Sequence, residues 1–240
     1  MNNNNSFEME EFTRSGLSMS AAFPALMRKV YVWMTLALAI TGITAYGVAT
    51  SPALLSLIFA SKATFFGLII AEFVLVFAIS GAINRLSLST ATLLFVLYSV
   101  VNGATLSSIF LMFSMTTIGK VFFITAGTFA VMAFVGYTTK TDLTSMGKLL
   151  FMALIGLIIA TVVNMFMKSA GFDLILSYIG VLIFVGLTAY DTQKIKHLLQ
   201  LAPDAGEHMQ KMALLGALTL YLDFVNLFLY LLRIFGNNKE

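Results

Sequence analysis

Apolar positions in this chain neither alternate nor keep to one narrow helical face. They run on, and seven of the runs reach the ~20 residues that cross a hydrocarbon core as a helix. Polar breaks place them at about 29–50, 63–83, 88–113, 117–138, 145–167, 174–195 and 209–235. A short apolar patch, SPALLSLIFA, precedes the second run, and the longest polar stretch, KHLLQLAPDAGEHMQK, separates the sixth from the seventh. The pattern predicts an all-α polytopic membrane protein: a polar, partly disordered tail over 1–24 and a seven-helix transmembrane domain over 25–240. A transmembrane β-barrel would instead show alternating segments of about ten residues, and these are absent.

Composition strengthens this reading. Of 240 residues, 59% are hydrophobic and 10% charged, with mean hydropathy +0.94. A soluble domain of this size has too little interior to hide so much apolar surface. The chain has no cysteine, which excludes disulfides, thiolate catalysis and cysteine-ligated metal. The net charge of +3 sits on basic residues scattered through short loops, which marks topology rather than a nucleic-acid partner. The start, MNNNNSFEMEEF, lacks the basic region of a cleavable signal peptide.

With the N-terminus inside, the inner segments hold Arg14, Arg28, Lys29, Arg85, Lys140, Lys148, Lys194, Lys196 and Lys211, nine in all. The outer ones hold five: Lys62, Lys120, Lys168, Arg233 and Lys239. The bias favours a cytoplasmic N-terminus and, with seven spans, an external C-terminus. A last segment that dips in and returns would bring the C-terminus inside.

Three acids interrupt the apolar runs: Glu72, Asp191 and Asp223. A charge at mid-bilayer costs about 2.5–3.5 kcal/mol on insertion scales, so each needs a partner, a proton or water. Asp191 lies near the end of its span; its alternative reading is an interfacial acid paired with Lys194 on the same helix face. Asp223 has no lysine or arginine within a turn. Gly216, Thr219, Asp223, Asn226 and Tyr230 share one stripe at 100° per residue, facing the bundle interior or an aqueous cavity. Helix–helix glue is the alternative there. Glu72 reads equally as packing with a protonated carboxyl or as a working group. Arg85, after the second span in ISGAINRLSLS, comes out at the same cytoplasmic depth as Asp191. It reads equally as a salt-bridge partner that closes the inner end of a path or as an anchor that snorkels to the headgroups. His197 and His208, eleven apart in the polar loop, make a weak metal pair without a third ligand.

GLTAYDTQKI, followed about thirty residues later by ALTLYLDFVNLFLYLLRIFG, resembles the transmembrane Bax inhibitor motif family, also called the Bax inhibitor-1 family, and its bacterial members in particular. The NRLS after the second span and the NGATLSSIF of the third extend the resemblance over nearly the whole chain beyond the tail. It implies a central seventh helix wrapped by two three-helix layers. It also implies a pH-sensitive calcium leak channel, not an enzyme, in which Asp191 and Asp223 form a hydrogen-bonded dyad and Arg85 latches it in the closed state. Glu72, Thr219 and Asn226 are possible supporting groups. No cofactor is tightly bound; calcium is the permeant ion, held weakly and transiently by Asp191 and Asp223. A second bacterial branch that the chain resembles implies another role, modulation of a membrane-bound AAA protease without conduction. The setting implied is a prokaryotic inner membrane.

The chemistry is compatible with that mechanism. Two touching carboxylates in a poorly solvated site cannot both ionise cheaply, so they share a proton and titrate as a pair. Calcium wants several oxygens and the pair offers at most four, so carbonyls, Asn226 or water must complete the shell. Intramembrane aspartyl proteases also pair a YD with an aspartate on the next span. Their second acid, however, sits in GxGD, where this chain has Leu220-Tyr221-Leu222-Asp223, and their PAL follows it, where here Pro24-Ala25-Leu26 and Pro52-Ala53-Leu54 lie near the N-terminus. The spans also set a problem of depth. Asp191 falls near the cytoplasmic end of its span, whereas Asp223 lies about fourteen residues, roughly 21 Å, into the next. A dyad requires the seventh helix to start below the membrane core or the sixth to run further into the cytoplasm.

Overall fold

The computed structural model describes residues 3–236, with side chains from Ala22 onward; Lys239 lies outside it. Nine helices follow in order: α1 (Asn3–Ala49), α2 (Pro52–Phe59), α3 (Lys62–Ala82), α4 (Leu88–Leu106), α5 (Ile109–Met112), α6 (Met115–Thr138), α7 (Thr144–Met167), α8 (Ala170–Gln200) and α9 (Glu207–Gly236). Seven stretches are long and apolar enough to span, and the predicted runs fall within or close to them. Four differences have local causes. α1 takes up most of the predicted tail, and its apolar part begins at Ala22 rather than near 29. The patch before the second span is the separate helix α2, started by Ser51 as N-cap and Pro52 in its first turn. The third span divides into α4 and α5 where Ser107 and Ser108 turn their hydroxyls back on the carbonyls of Ala104 and Thr105. α8 runs on to Gln200. α9 is a single unbroken helix, so the re-entrant alternative falls away.

Polar side chains set the helix starts. Ser61, Ser87, Ser114 and Ser169 each accept a backbone N–H of the helix that follows. At α7, Asp142 Oδ1 accepts the N–H of Thr144 at 2.9 Å. Hydrogen bonds from the Thr144 hydroxyl and N–H hold this exposed carboxyl below its ordinary range. That cap is intact above the usual carboxylate titration and is lost as pH falls through the lowered value. α7 ends on Lys168, whose φ of 51° is left-handed. A side chain there costs about 1–2 kcal/mol relative to glycine. Lys168→Gly is therefore expected to leave the fold intact and raise the melting temperature by a few degrees; a fall would show that the lysine side chain outweighs the backbone strain.

The centre of the bundle is the last helix. In the most apolar stretch of α9, 67% of residues are buried, against 6% in α3. α9 packs on α8, α1, α6 and α4. Around it, α1, α3 and α4 form one layer, and α6, α7 and α8 the other. Between the layers run two seams. One, between α1 and α6, is an apolar groove of about 550 Å³ floored by Phe129 and Phe224. The other, between α3 and α7, is polar at its floor.

The helix ends around the α3–α4 turn are tied by α9's first turns. Lys211, buried, donates to the carbonyl of Leu86 at 2.9 Å. Glu207 accepts the N–H of Leu88 at 3.0 Å, and Lys29 donates to Gln210 at 2.7 Å. The α3–α4 turn, which carries Arg85, is thereby fastened at two points just after that arginine.

Candidate functional site

The site lies on α8 and α9, which pack antiparallel. Gly216 lies against Ile195, and Gly180 lies beneath the ring of Tyr230. These contacts fix a register in which Asp223 stands opposite Thr188, about one turn or ~5 Å from Asp191. Side chains on a helix lean toward its N-terminus, and in an antiparallel pair those leans are opposed. Asp191 and Asp223 therefore lean into the gap between them, and their carboxyl groups come together at one cavity wall.

The depth problem is resolved by both helix ends at once. α8 continues past Asp191 for about 14 Å, and α9 rises about 24 Å before reaching Asp223. The sixth span is longer at its C-terminal end than the hydropathy suggested, and the seventh starts about one turn beyond that end.

GLTAYDTQKIK can now be read residue by residue. Gly136 of α6 sits so close to Ala189 that a Cβ would collide with its carbonyl group, and Gly147 of α7 makes room for the ring of Tyr190. Two neighbouring helices thus close on α8 immediately before Asp191. Gln193 accepts the N–H of Leu143 at 2.9 Å and donates to the carbonyl of Thr141 at 2.8 Å, clamping the α6–α7 loop. Lys196 donates to the carbonyl of Tyr137 at 2.7 Å. The segment is a docking strip for α6 and α7, while Asp191 and Ile195 face α9.

The carboxyl pair floors a cavity of about 1090 Å³ in the α3/α7 seam, bounded by Phe73 of α3 and residues of α7, α8 and α9. Thr219, Asp223, Asn226 and Tyr230 of the predicted stripe line it; Gly216 serves the helix contact instead. Two stripe members satisfy their donors locally. Thr219 donates to Leu215 O at 3.1 Å and Asn226 Nδ2 to Leu222 O at 2.8 Å. Their oxygens are left toward the cavity, and Asp223 Oδ2 is buried without a partner. Asp223 Oδ2, Thr219 Oγ1 and Asn226 Oδ1 are acceptor oxygens of the kind that suits a proton or a hard cation; Asn226 keeps one amide N–H beside them. Lys148 and Lys194 line the inner part of the same cavity. Lys194, the alternative partner of Asp191, lies beside the Tyr190 ring, outside salt-bridge distance of the acid.

Arg85 is exposed in the α3–α4 turn, and the ion pair found among the described residues is instead Arg233 with Asp173 at 3.7 Å. Arg85 and the dyad are thus not in contact in this structure. Glu72 is half-buried on α3, away from the dyad, toward Thr105 and Asn102 of α4. His197 and His208 are both exposed. Among the described residues no three or more His, Asp or Glu side chains gather as a metal cluster. The sequence reading missed Tyr190 and Gln193 as positioning residues, because an aromatic and an amide beside an apolar run carry no periodic signal.

Comparison with known proteins accords with this architecture. The family model described as inhibitor of apoptosis-promoting Bax1 matches residues 24–240. The chain is 47% identical over 234 residues to the Escherichia coli K12 inner membrane protein YbhL, covering 96% of this chain and 100% of that one. It is 47% identical over 214 residues to a Borreliella burgdorferi protein, covering 89% and 92% of the two chains. A Deinococcus radiodurans protein is 39% identical over 214 residues, with 89% and 90% covered. A multi-pass helical bundle built around an α8–α9 carboxyl pair, matched from residue 24 to residue 240, belongs to the Bax inhibitor-1 family.

Proposed function

We propose that this chain is a pH-sensitive leak for cations, calcium among them, through the α3/α7 seam of a prokaryotic inner membrane. The observation that carries the reading is the cavity floor: two neighbouring carboxyls, flanked along α9 by the acceptor oxygens of Thr219 and Asn226. Such a floor carries one negative charge while the pair shares a proton, and a second when that proton is given up. Falling pH protonates both acids, neutralises the floor and weakens any attraction for Arg85. Rising pH leaves charge that holds either Arg85 or a passing Ca²⁺. In this proposal Arg85 latches the path by swinging inward from its exposed position, with the N-terminus on the cytoplasmic side. Calcium is cargo: a few carboxylate and amide oxygens with water hold it weakly, which favours passage over storage.

The test is Ca²⁺ entry into dye-loaded liposomes between about pH 6 and 8, with wild type beside Asp191→Asn, Asp223→Asn and Arg85→Ala. Wild type is expected to leak with a sigmoidal pH dependence, which either aspartate variant flattens. Silence in all four, or identical leak at every pH, would end the channel reading.

A further inference from the structure

A second polar system occupies the opposite face of α9. Tyr221 precedes Asp223 by two residues, about 200° round the helix, and points into the other layer. It is fully buried and edge-on to the rings of Phe95 and Tyr98. Its hydroxyl lies 2.8 Å from Asn102 Oδ1 and 2.7 Å from Thr41 Oγ1. Thr41 Oγ1 in turn lies 3.0 Å from the carbonyl of Ser99. From α3, Glu72 turns its carboxyl toward Thr105 and Asn102, and its Oε1 is buried with no hydrogen-bond partner.

The hydrogens do not suffice. The Tyr221–Asn102, Tyr221–Thr41 and Thr41–Ser99 contacts need three, but Tyr221 and Thr41 supply one each, and amide and carbonyl oxygens only accept. A half-turn of the Asn102 amide supplies the third. Its Nδ2 then donates to Tyr221, Tyr221 to Thr41, and Thr41 to Ser99. The same half-turn points Asn102 Oδ1 at Glu72. An ionised carboxylate there would oppose acceptor to acceptor in a low-dielectric interior, whereas a protonated one donates its O–H and every member is satisfied.

We propose that Glu72 is a proton-binding site, distinct from the aspartate pair, and that the Asn102 amide relays its occupancy through Tyr221 to Thr41. With a proton taken up from water, donation runs from Glu72 through Asn102, Tyr221 and Thr41 to the carbonyl of Ser99. With the proton released, the amide turns: Nδ2 serves the carboxylate, Tyr221 donates to Asn102, and one contact of Thr41 goes empty. The ionisable groups facing Glu72 are Tyr98 of α4 and Tyr221 of α9; α2 and α4, on which α3 rests, contain no Asp, Glu, His, Lys or Arg. No lysine or arginine from those helices competes for the proton. The relay joins α3, α4, α9 and α1, and it stands whether or not the chain conducts.

The proposal fixes the sign of a remote effect. Removing the Tyr221 or the Thr41 hydroxyl costs the protonated arrangement two hydrogen bonds and the ionised one a single bond. The experiment follows the carbonyl stretch of protonated carboxyls by infrared difference spectroscopy on the full chain in lipid, titrated over about pH 5–8. A band is expected that vanishes in Glu72→Gln and persists in Asp191→Asn and Asp223→Asn. Its midpoint is expected to fall by about half a unit to one unit in Tyr221→Phe, and likewise in Thr41→Val, which does not touch Glu72. Absence of a Glu72-dependent band, or a midpoint unmoved in Thr41→Val, overturns the proposal. Thr41→Val carries the test alone if Tyr221→Phe does not fold.

Discussion

Alanine at position 136 is expected to cost this protein more stability than any other single methyl group on α6. A Cβ there would meet the carbonyl group of Ala189, which belongs to the α8 backbone and has no rotamer by which to retreat. Overpacking costs about 1–3 kcal/mol when side chains can adjust; a backbone collision places Gly136→Ala at or beyond the upper end of that range. Gly127, nine residues earlier on the same helix, has nothing within 4 Å of the position a Cβ would take. Gly127→Ala is expected to be neutral or to gain up to about 1 kcal/mol from helix propensity. Thermal unfolding of both variants in detergent checks the contrast. Equal melting temperatures would mean that α6 slides freely on α8 and that the approach is not needed to hold the strip before Asp191.

Leucine at position 223 is expected to do the reverse, sparing the fold and silencing the site. Replacing a buried, incompletely paired carboxyl by an apolar side chain is often neutral or stabilising, because the desolvation cost disappears, and the adjoining cavity gives the larger side chain room. The melting temperature should hold or rise by a few degrees, while Ca²⁺ entry loses its pH dependence and falls at least tenfold. If Asp223 were helix glue, the outcome would invert: Asp223→Leu would melt early, and what remained folded would behave as wild type. Measuring stability and flux on the same preparation separates the two roles.

Both experiments bear on what could be read from the chain. Asp191, Asp223 and the stripe carrying Thr219 and Asn226 were legible because a polar side chain in an apolar run must be turned inward, and helical spacing says which others turn with it. The seven spans were legible because backbone in hydrocarbon has few options. The C-terminal extension of α8 was not, since residues beyond an apolar run carry ordinary polar composition. Nor was Arg85's exposed position, because arginine after a span reads the same whether it latches or snorkels. The relay through Tyr221 stayed hidden for another reason. In LTLYLDF the tyrosine looks like one more large apolar residue, and its role depends on Thr41 and Asn102, which are remote in sequence. Asn102 was the available clue: an amide inside VVNGATL needs a partner as surely as an aspartate does.

A core made from the final helix has a consequence for biosynthesis. Ribosomes deliver the chain in order, so the six surrounding spans enter the bilayer before α9 exists. Until then the layers meet only where α1 reaches α8 and α5 reaches α6, and their inward polar groups, Asn102 and Thr41 on one side and Asp191 on the other, lack the helix they pack on. Assembly is therefore a late event that waits for residues 207–236, and the two layers are joined when α9 brings Tyr221 to one and Asp223 to the other.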